Sequence, residues 1–283
     1  MVEWPAPLIR EIAERRVVLF VGSGVSKSAV PTLPSWTTLL LQMAERAKLK
    51  KDKALAKRLV HNSRLLDAAE LVNSLLTPAD RRQFLEEIFL FAKTPISEIY
   101  EQLLMCDFKI CITTNYDELL EKNFEHFSAG AVAYQTRKYQ YDNILADLRS
   151  PTRIILKLHG CITEPANIIL DRESFFRAKS KYSGVYDIVT AISTVSTILF
   201  LGYSINDPDI QLILEGIHAR IHSDHTHYAL VPKFEHPSLR SALSKTFNVK
   251  FLEYSGKNHD EFQNAVQTLR NAVKEMRATR GIP

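Results

Sequence analysis

Cysteine, glycine and net charge are all in short supply in these 283 residues, and no long apolar run occurs. The three cysteines, Cys106, Cys111 and Cys161, are odd in number and contain no C-x-x-C pair. That pattern argues against a disulfide framework and against a four-cysteine zinc site. The absence of an 18-residue apolar stretch leaves nothing to span a membrane. Residues 1–16 are charged and include Pro5 and Pro7, unlike a secretory leader. The expectation is a soluble, cytoplasmic protein in a reducing compartment. The 36 basic and 32 acidic residues leave a net charge of +4, a weak attraction for nucleic acid, which is expected as an indirect partner at most. Only nine glycines are present, so each is expected to hold a position that needs one. The 46% hydrophobic share is ample for a core.

What is present is organised around residues 16–28, RVVLFVGSGVSKS. Val17, Val18, Leu19, Phe20 and Val21 form a β-branched and aromatic run too short for a helix, and read as a buried strand. Gly22-Ser23-Gly24 follows at once. Glycines there allow a sharp turn and a close approach to a ligand. Their N–H groups, with a helix start behind them, suit a phosphate. A plain tight turn reads equally well. The dinucleotide fingerprint G-x-G-x-x-G would need glycine where Lys27 stands. A P-loop ending at Lys27-Ser28 would need glycines at Ser26 and Val21. The turn therefore belongs to neither an ordinary dehydrogenase nor an ordinary P-loop ATPase.

Along the chain, residues 7–15 read as a short helix, and Ser35 as the N-cap of a helix reaching about residue 49. Residues 48–91 are helical in pattern, and the stretch 48–105 is expected to form a helical insertion or cap. Strands are expected at 109–113, 153–158, 197–201, 228–231 and 249–252, with a short edge strand at 167–170. Helices are expected from Glu118, over 171–179, 185–195 and 208–221 with Asp207 as cap, and over 260–277. Strands alternating with helices indicate an α/β fold: a Rossmann-like, mostly parallel sheet flanked by helices, with residues 1–283 forming one domain.

Four of these strands end in polar or glycine clusters: Gly22-Ser23-Gly24, Thr114-Asn115-Tyr116-Asp117, His159-Gly160 and Gly202-Tyr203-Ser204. Carboxyl ends of parallel strands share one edge of the sheet, where ligands bind. One common site is therefore expected. The ordered set resembles the sirtuin family, and more closely its bacterial relatives that consume NAD in anti-phage defence. Sirtuins carry G-A-G-x-S, T-Q-N-x-D, H-G and G-T-S after successive strands. Here they read Gly22-Ser23-Gly24-Val25-Ser26, Thr113-Thr114-Asn115-Tyr116-Asp117, His159-Gly160 and Gly202-Tyr203-Ser204. The phrase from Gly202 to Asp207 looks like the defence branch. The chain departs from the deacetylases in having no zinc ribbon after His-Gly, in Thr114 for the family glutamine, and in Pro34-Ser35-Trp36-Thr37 for the P-D-F-R loop.

The resemblance implies NAD as substrate, cleaved at its nicotinamide–ribose bond; the missing cysteine ribbon leads to the expectation of no metal. It implies that Asn115 orients the ribose and the attacking water, that His159 is the base, and that Asp117 holds the nicotinamide carboxamide. Ser23, Ser26, Thr114 and Ser204 would contact phosphates or ribose, Trp36 would cover the ring, and Gly22, Gly24 and Gly202 would allow close approach. A homo-oligomer or a complex with a partner defence protein is the implied setting. Plainer readings stand beside these. His159 also reads as a buried core histidine, Asn115 and Asp117 as caps of the following helix, and Trp36 as core. The chain as a whole also reads as a nucleotide-binding regulatory module without catalysis, or as a zinc-free deacylase. His218, His222, His225 and His227 read as a polar helix end or a metal site. The basic run Lys48, Lys50, Lys51, Lys53, Lys57 and Arg58 reads as a solvated helix face or a partner contact.

Overall fold

The computed structural model of the chain describes residues 2–203, 226–256 and 259–282. A short helix α1 (Ala6–Ala13) leads into β1 (Val17–Val21), as the apolar run predicts. All five β1 residues are buried. Val17, Leu19 and Val21 enter the core on one face of the sheet, and Val18 and Phe20 the core on the other. A strand buried on both faces must be apolar throughout, which is why this run shows no alternation.

The other strands are β2 (Ile110–Thr113), β3 (Tyr134–Lys138), β4 (Arg153–Lys157), β5 (Thr197–Leu201), β6 (His227–Pro232) and β7 (Val249–Tyr254). They form a seven-stranded sheet in the order β3-β4-β2-β1-β5-β6-β7, and every pairing is parallel. The chain leaves β1 toward β2, builds that half, then returns to place β5 on the other side of β1. The order of strands thus reverses beside β1, where the crevice of a doubly wound sheet lies.

Between β1 and β2 the chain forms only helices: α2 (Ser23–Ala29), α3 (Trp36–Glu45), α4 (Lys50–His61), α5 (Leu65–Leu75), α6 (Pro78–Phe89) and α7 (Glu98–Met105). The caps follow the sequence. Ser35 Oγ accepts from Thr38 N, and Thr77 Oγ1 accepts from Asp80 N ahead of Pro78. Beyond β2 come α8 (Leu119–Ser128), α9 (Ile144–Arg149), α10 (Arg172–Lys181), α11 (Ser183–Val195), α12 (Pro237–Phe247) and α13 (His259–Arg280). No helix among the described residues is long and apolar enough to cross a membrane.

Three expectations change. Residues 167–170 are not a strand: Pro165–Asn167 is a 3-10 turn, and the chain then doubles back so that Ile169 N donates to His159 O at 3.0 Å. The edge strand is instead β3, YQTRK, whose polar sequence conceals it because only β4 pairs with it. His227 is a buried residue of β6 that accepts from Ile198 N through Nδ1 at 3.2 Å, not part of a polar helix end. The helix over 208–221 with its cap Asp207, and His218, His222, His225 and Ser204, lie outside the described residues.

The β1 and β5 turns meet backbone to backbone. Gly24 N donates to Gly202 O at 2.8 Å, and a Cβ on Gly22 or Gly24 would come within 2.6 or 2.8 Å of Gly202 atoms. Gly202 itself has φ +75°, and its Cβ would lie 2.5 Å from Val25 N. Gly202→Ala is expected to cost about 2–5 kcal/mol, from a left-handed backbone plus forced separation of the turns. Urea unfolding should show the midpoint falling with its slope unchanged. Gly184→Ala, whose Cβ would meet nothing within 4 Å, is expected to stay within about 0.5 kcal/mol of the parent.

Candidate functional site

The four strands that carry the polar clusters are neighbours, in the order β4-β2-β1-β5. The carboxyl ends of β1, β2 and β4 open on a cavity of about 210 Å³, and the described residues of the turn after β5 do not line it. Ser23, Ser26, Thr114, Asn115, Asp117 and His159 line its polar side. Leu33, Trp36, Leu39, Leu66, Phe89, Phe175 and Phe176 line its apolar side. Most of the residues expected from sequence to share a site therefore do so.

The β1 turn supplies two serines. Gly22 N donates to Leu201 O and Gly24 N to Gly202 O, both at 2.8 Å, so these amides are used within the protein. The glycines serve the crossing of the two turns, and Gly22, Gly24 and Gly202 do not line the cavity. The exposed Ser23 and the buried Ser26 are what this turn presents.

Ser26 is a junction. Its Oγ lies 3.0 Å from Asn115 Nδ2 and 3.4 Å from Tyr100 OH, both of which donate to it. Both acceptor positions of the hydroxyl are thereby filled. The Asp117 carboxylate stands beside it, close enough for the serine to favour its charged form. One serine from the β1 turn thus meets two residues of the turn after β2.

The turn after β2 is stapled on both sides. Thr113 Oγ1 donates to Val21 O at 2.6 Å and accepts from Asn115 N at 3.0 Å. Leu158 N donates to Thr113 O, and Ile162 N to Tyr116 O. Asp117 Oδ1 accepts at 3.0 Å from the N–H of Leu119, the first residue of α8, while the N-cap position itself is Glu118. That bond uses one oxygen and leaves the carboxylate, 4% exposed, at the cavity wall. Burial raises its pKa above the ordinary carboxylate value, against the opposing pull of the Lys157 ammonium, the Leu119 N–H and Ser26.

His159 follows β4 by two residues and is buried, its ring edge-on to Phe175 at 6.2 Å. It is placed by the return of the chain. Gly160 has φ +82°, and a Cβ there would lie 2.6 Å from Asn167 O. The ring is thus held between the sheet edge and α10.

The roof comes from the helices between β1 and β2. Trp36 opens α3 and borders the cavity, alongside Leu66 of α5 and Phe89 of α6. Two contacts clasp α5 to α10. Arg172 Nη1 binds Asp67 Oδ1 at 2.6 Å, and Asn73 Nδ2 donates to Asp171 Oδ2. Arg81 in turn donates to Asn73 Oδ1 at 2.8 Å.

Sequence reasoning missed Tyr100, Lys157, Phe175 and Arg172. Lys157 did carry a signal: a charge between Leu156 and Leu158 in the otherwise apolar run that follows Arg153. Its Nζ is fully buried and donates to Asp117 O at 2.5 Å and to Glu121 Oε1 at 2.6 Å. Burial alone would depress its pKa; the Glu121 charge, with Cys161 and Asp117, outweighs this and holds it above the ordinary lysine value.

Comparison with known proteins agrees with this geometry. Residues 109–252 match the model of the SIR2-like domain. The chain is 24% identical over 94% of its length to a Bacillus cereus protein named NAD(+) hydrolase ThsA, covering 56% of that protein. It is 25% identical over 80% of its length to a protein of the same name from Acinetobacter baumannii, covering 44% of it. It is 24% identical over 74% of its length to defense-associated sirtuin 2 of Bacillus subtilis, covering 20% of it. The chain spans about half the length, or less, of these curated relatives. With its parallel sheet, its four strand-end clusters and a match over half its residues, the chain belongs to the SIR2-like domain family.

Proposed function

We propose that this chain hydrolyses NAD at the nicotinamide–ribose bond, giving nicotinamide and ADP-ribose. The observation that carries the reading is the convergence of Asn115, Asp117 and His159 on one cavity at the edge of a doubly wound sheet. The name that two relatives carry, NAD(+) hydrolase, supports it.

The chemistry is a displacement at the anomeric carbon. The bond from ribose C1′ to the pyridinium nitrogen breaks, and its electron pair neutralises that nitrogen. A water oxygen bonds to C1′ and its proton goes to a base. His159 is that base, since imidazole is the side chain best suited to take up and release a proton near neutral pH. Asn115 orients water and ribose, an amide being able to donate and accept at once. Asp117 accepts from the nicotinamide carboxamide. Ser23, Ser26 and Thr114 contact ribose or phosphate, the role the family resemblance also implies for Ser204. The apolar wall formed by Trp36, Phe89 and Phe175 keeps bulk water from the cation-like transition state.

In the cell, depletion of NAD in answer to phage infection is the role this activity serves; the name defense-associated sirtuin supports it. The chain acts in a homo-oligomer or with a partner defence protein, and Leu49, Leu90 and Ile96 offer exposed apolar contacts on the helical insertion at 48–105. The proposed chemistry needs no metal.

His159→Ala and Asn115→Ala are each expected to lower NAD turnover by about 10²–10⁴-fold while circular dichroism stays unchanged. Wild-type turnover in either folded variant removes that residue from the mechanism. Nicotinamide release should be the same with and without an acetylated peptide. It should also persist in EDTA, and stoichiometric zinc whose removal abolishes turnover would contradict the metal-free scheme. Light scattering across a concentration series should show assembly, with specific activity rising alongside it; a monomer of constant activity needing no partner would refute that part.

A further inference from the structure

Lys157 is the only fully buried lysine among the described residues. An ammonium out of water costs several kcal/mol unless it is paired and hydrogen-bonded. Glu121 alone would neutralise it. Yet Nζ also donates, at 2.5 Å, to the backbone carbonyl of Asp117. A carbonyl adds no countercharge; what it adds is a fixed distance between β4 and the turn after β2. That turn carries Asn115 and Asp117, and His159 stands two residues beyond Lys157. One ammonium therefore ties the amide and carboxylate side of the cavity to its imidazole side.

The pair is also a poor way to stabilise a fold. Glu121 Oε2 is buried with no hydrogen-bond partner. Apolar residues of similar size often replace a buried ion pair at no loss, or with a gain. The arrangement is explained by position rather than by stability.

We propose that Lys157 is a positioning residue of this site: its ammonium locks the turn bearing Asn115 and Asp117 to the end of β4, and so sets both against His159. This rests on the NAD reading above. The groups around the ammonium come from several elements: Glu121 from α8, Asp117 from the β2 turn, and Cys161 beyond β4. Tyr100 of α7 and Ser26 of α2 stand against Asp117. Without the ammonium, Asp117 and Glu121 become two buried carboxylates with no cation between them, and like charges favour protonation.

The test compares NAD turnover, its pH profile and melting temperature for the parent, Lys157→Met, Lys157→Arg and Lys157→Met combined with Glu121→Leu. The double variant is expected to melt at or above the parent temperature, because both charges leave together. Its kcat is nevertheless expected to fall about 10²-fold, the cost of a displaced catalytic geometry. The acid limb of kcat/KM should move to higher pH in Lys157→Met, and less far in the double variant. Lys157→Arg keeps the charge but not the compact shape of the ammonium, so kcat should fall with the acid limb in place. A double variant that folds and regains parental kcat and pH profile would show a purely structural lysine and overturn the proposal. If Lys157→Met fails to fold, the double variant decides. A parent protein that neither binds nor cleaves NAD would remove the functional reading and this role with it. That outcome is distinct from a working parent matched by a working double variant.

Discussion

Two turns cross at the middle of this sheet in direct backbone contact. Gly22 and Gly24 after β1 lie against Gly202 after β5, and every Cβ that substitution would add there falls within 3 Å of a neighbouring atom. This contact closes the crevice floor on the β5 side. With their N–H groups donating to Leu201 and Gly202, the turns are held rigidly, and α2 leaves β1 in a single direction. That direction brings Ser26 to the end of β2, where it meets Asn115, Asp117 and Tyr100. A side chain at the crossing would tilt α2, and the serine junction would come apart without any of its own members being changed.

Much of this was legible in the sequence, for a physical reason. The central strands β1, β2, β4 and β5 are each an apolar run followed by a polar turn, because strands buried on both faces cannot hide their composition. Strand ends on one edge then imply one cavity, and Ser23, Ser26, Trp36, Thr114, Asn115, Asp117 and His159 do meet there. What was not legible depends on distant partners. β3 reads YQTRK and is a strand only because β4 offers it an open edge. Lys157 looks solvent-bound by residue type and is buried because Glu121, 36 positions away, meets it. The glycines read as space for a ligand, whereas the space they make is taken by each other.

The floor of the cavity rests on buried interactions of different kinds: strand ladders, a serine junction and a buried ammonium. Each is costly to break in isolation, since a buried donor or acceptor left alone has no water to turn to. The candidate catalytic groups all sit on this floor. Their geometry therefore shares the stability of the sheet itself.

The clasp between α5 and α10 is of another kind. Asp67 and Arg172 keep 30% and 41% of their side-chain surfaces in solvent. Exposed ion pairs are worth about 0–1 kcal/mol, and dissolved salt weakens them further. The hydrogen bond from Asn73 to Asp171 is the more sheltered companion. The cavity is therefore mechanically uneven: the sheet edge that carries Asn115 and Asp117 is stiff, whereas the α10 side, whose Phe175 packs on the His159 ring, is closed by contacts that salt weakens.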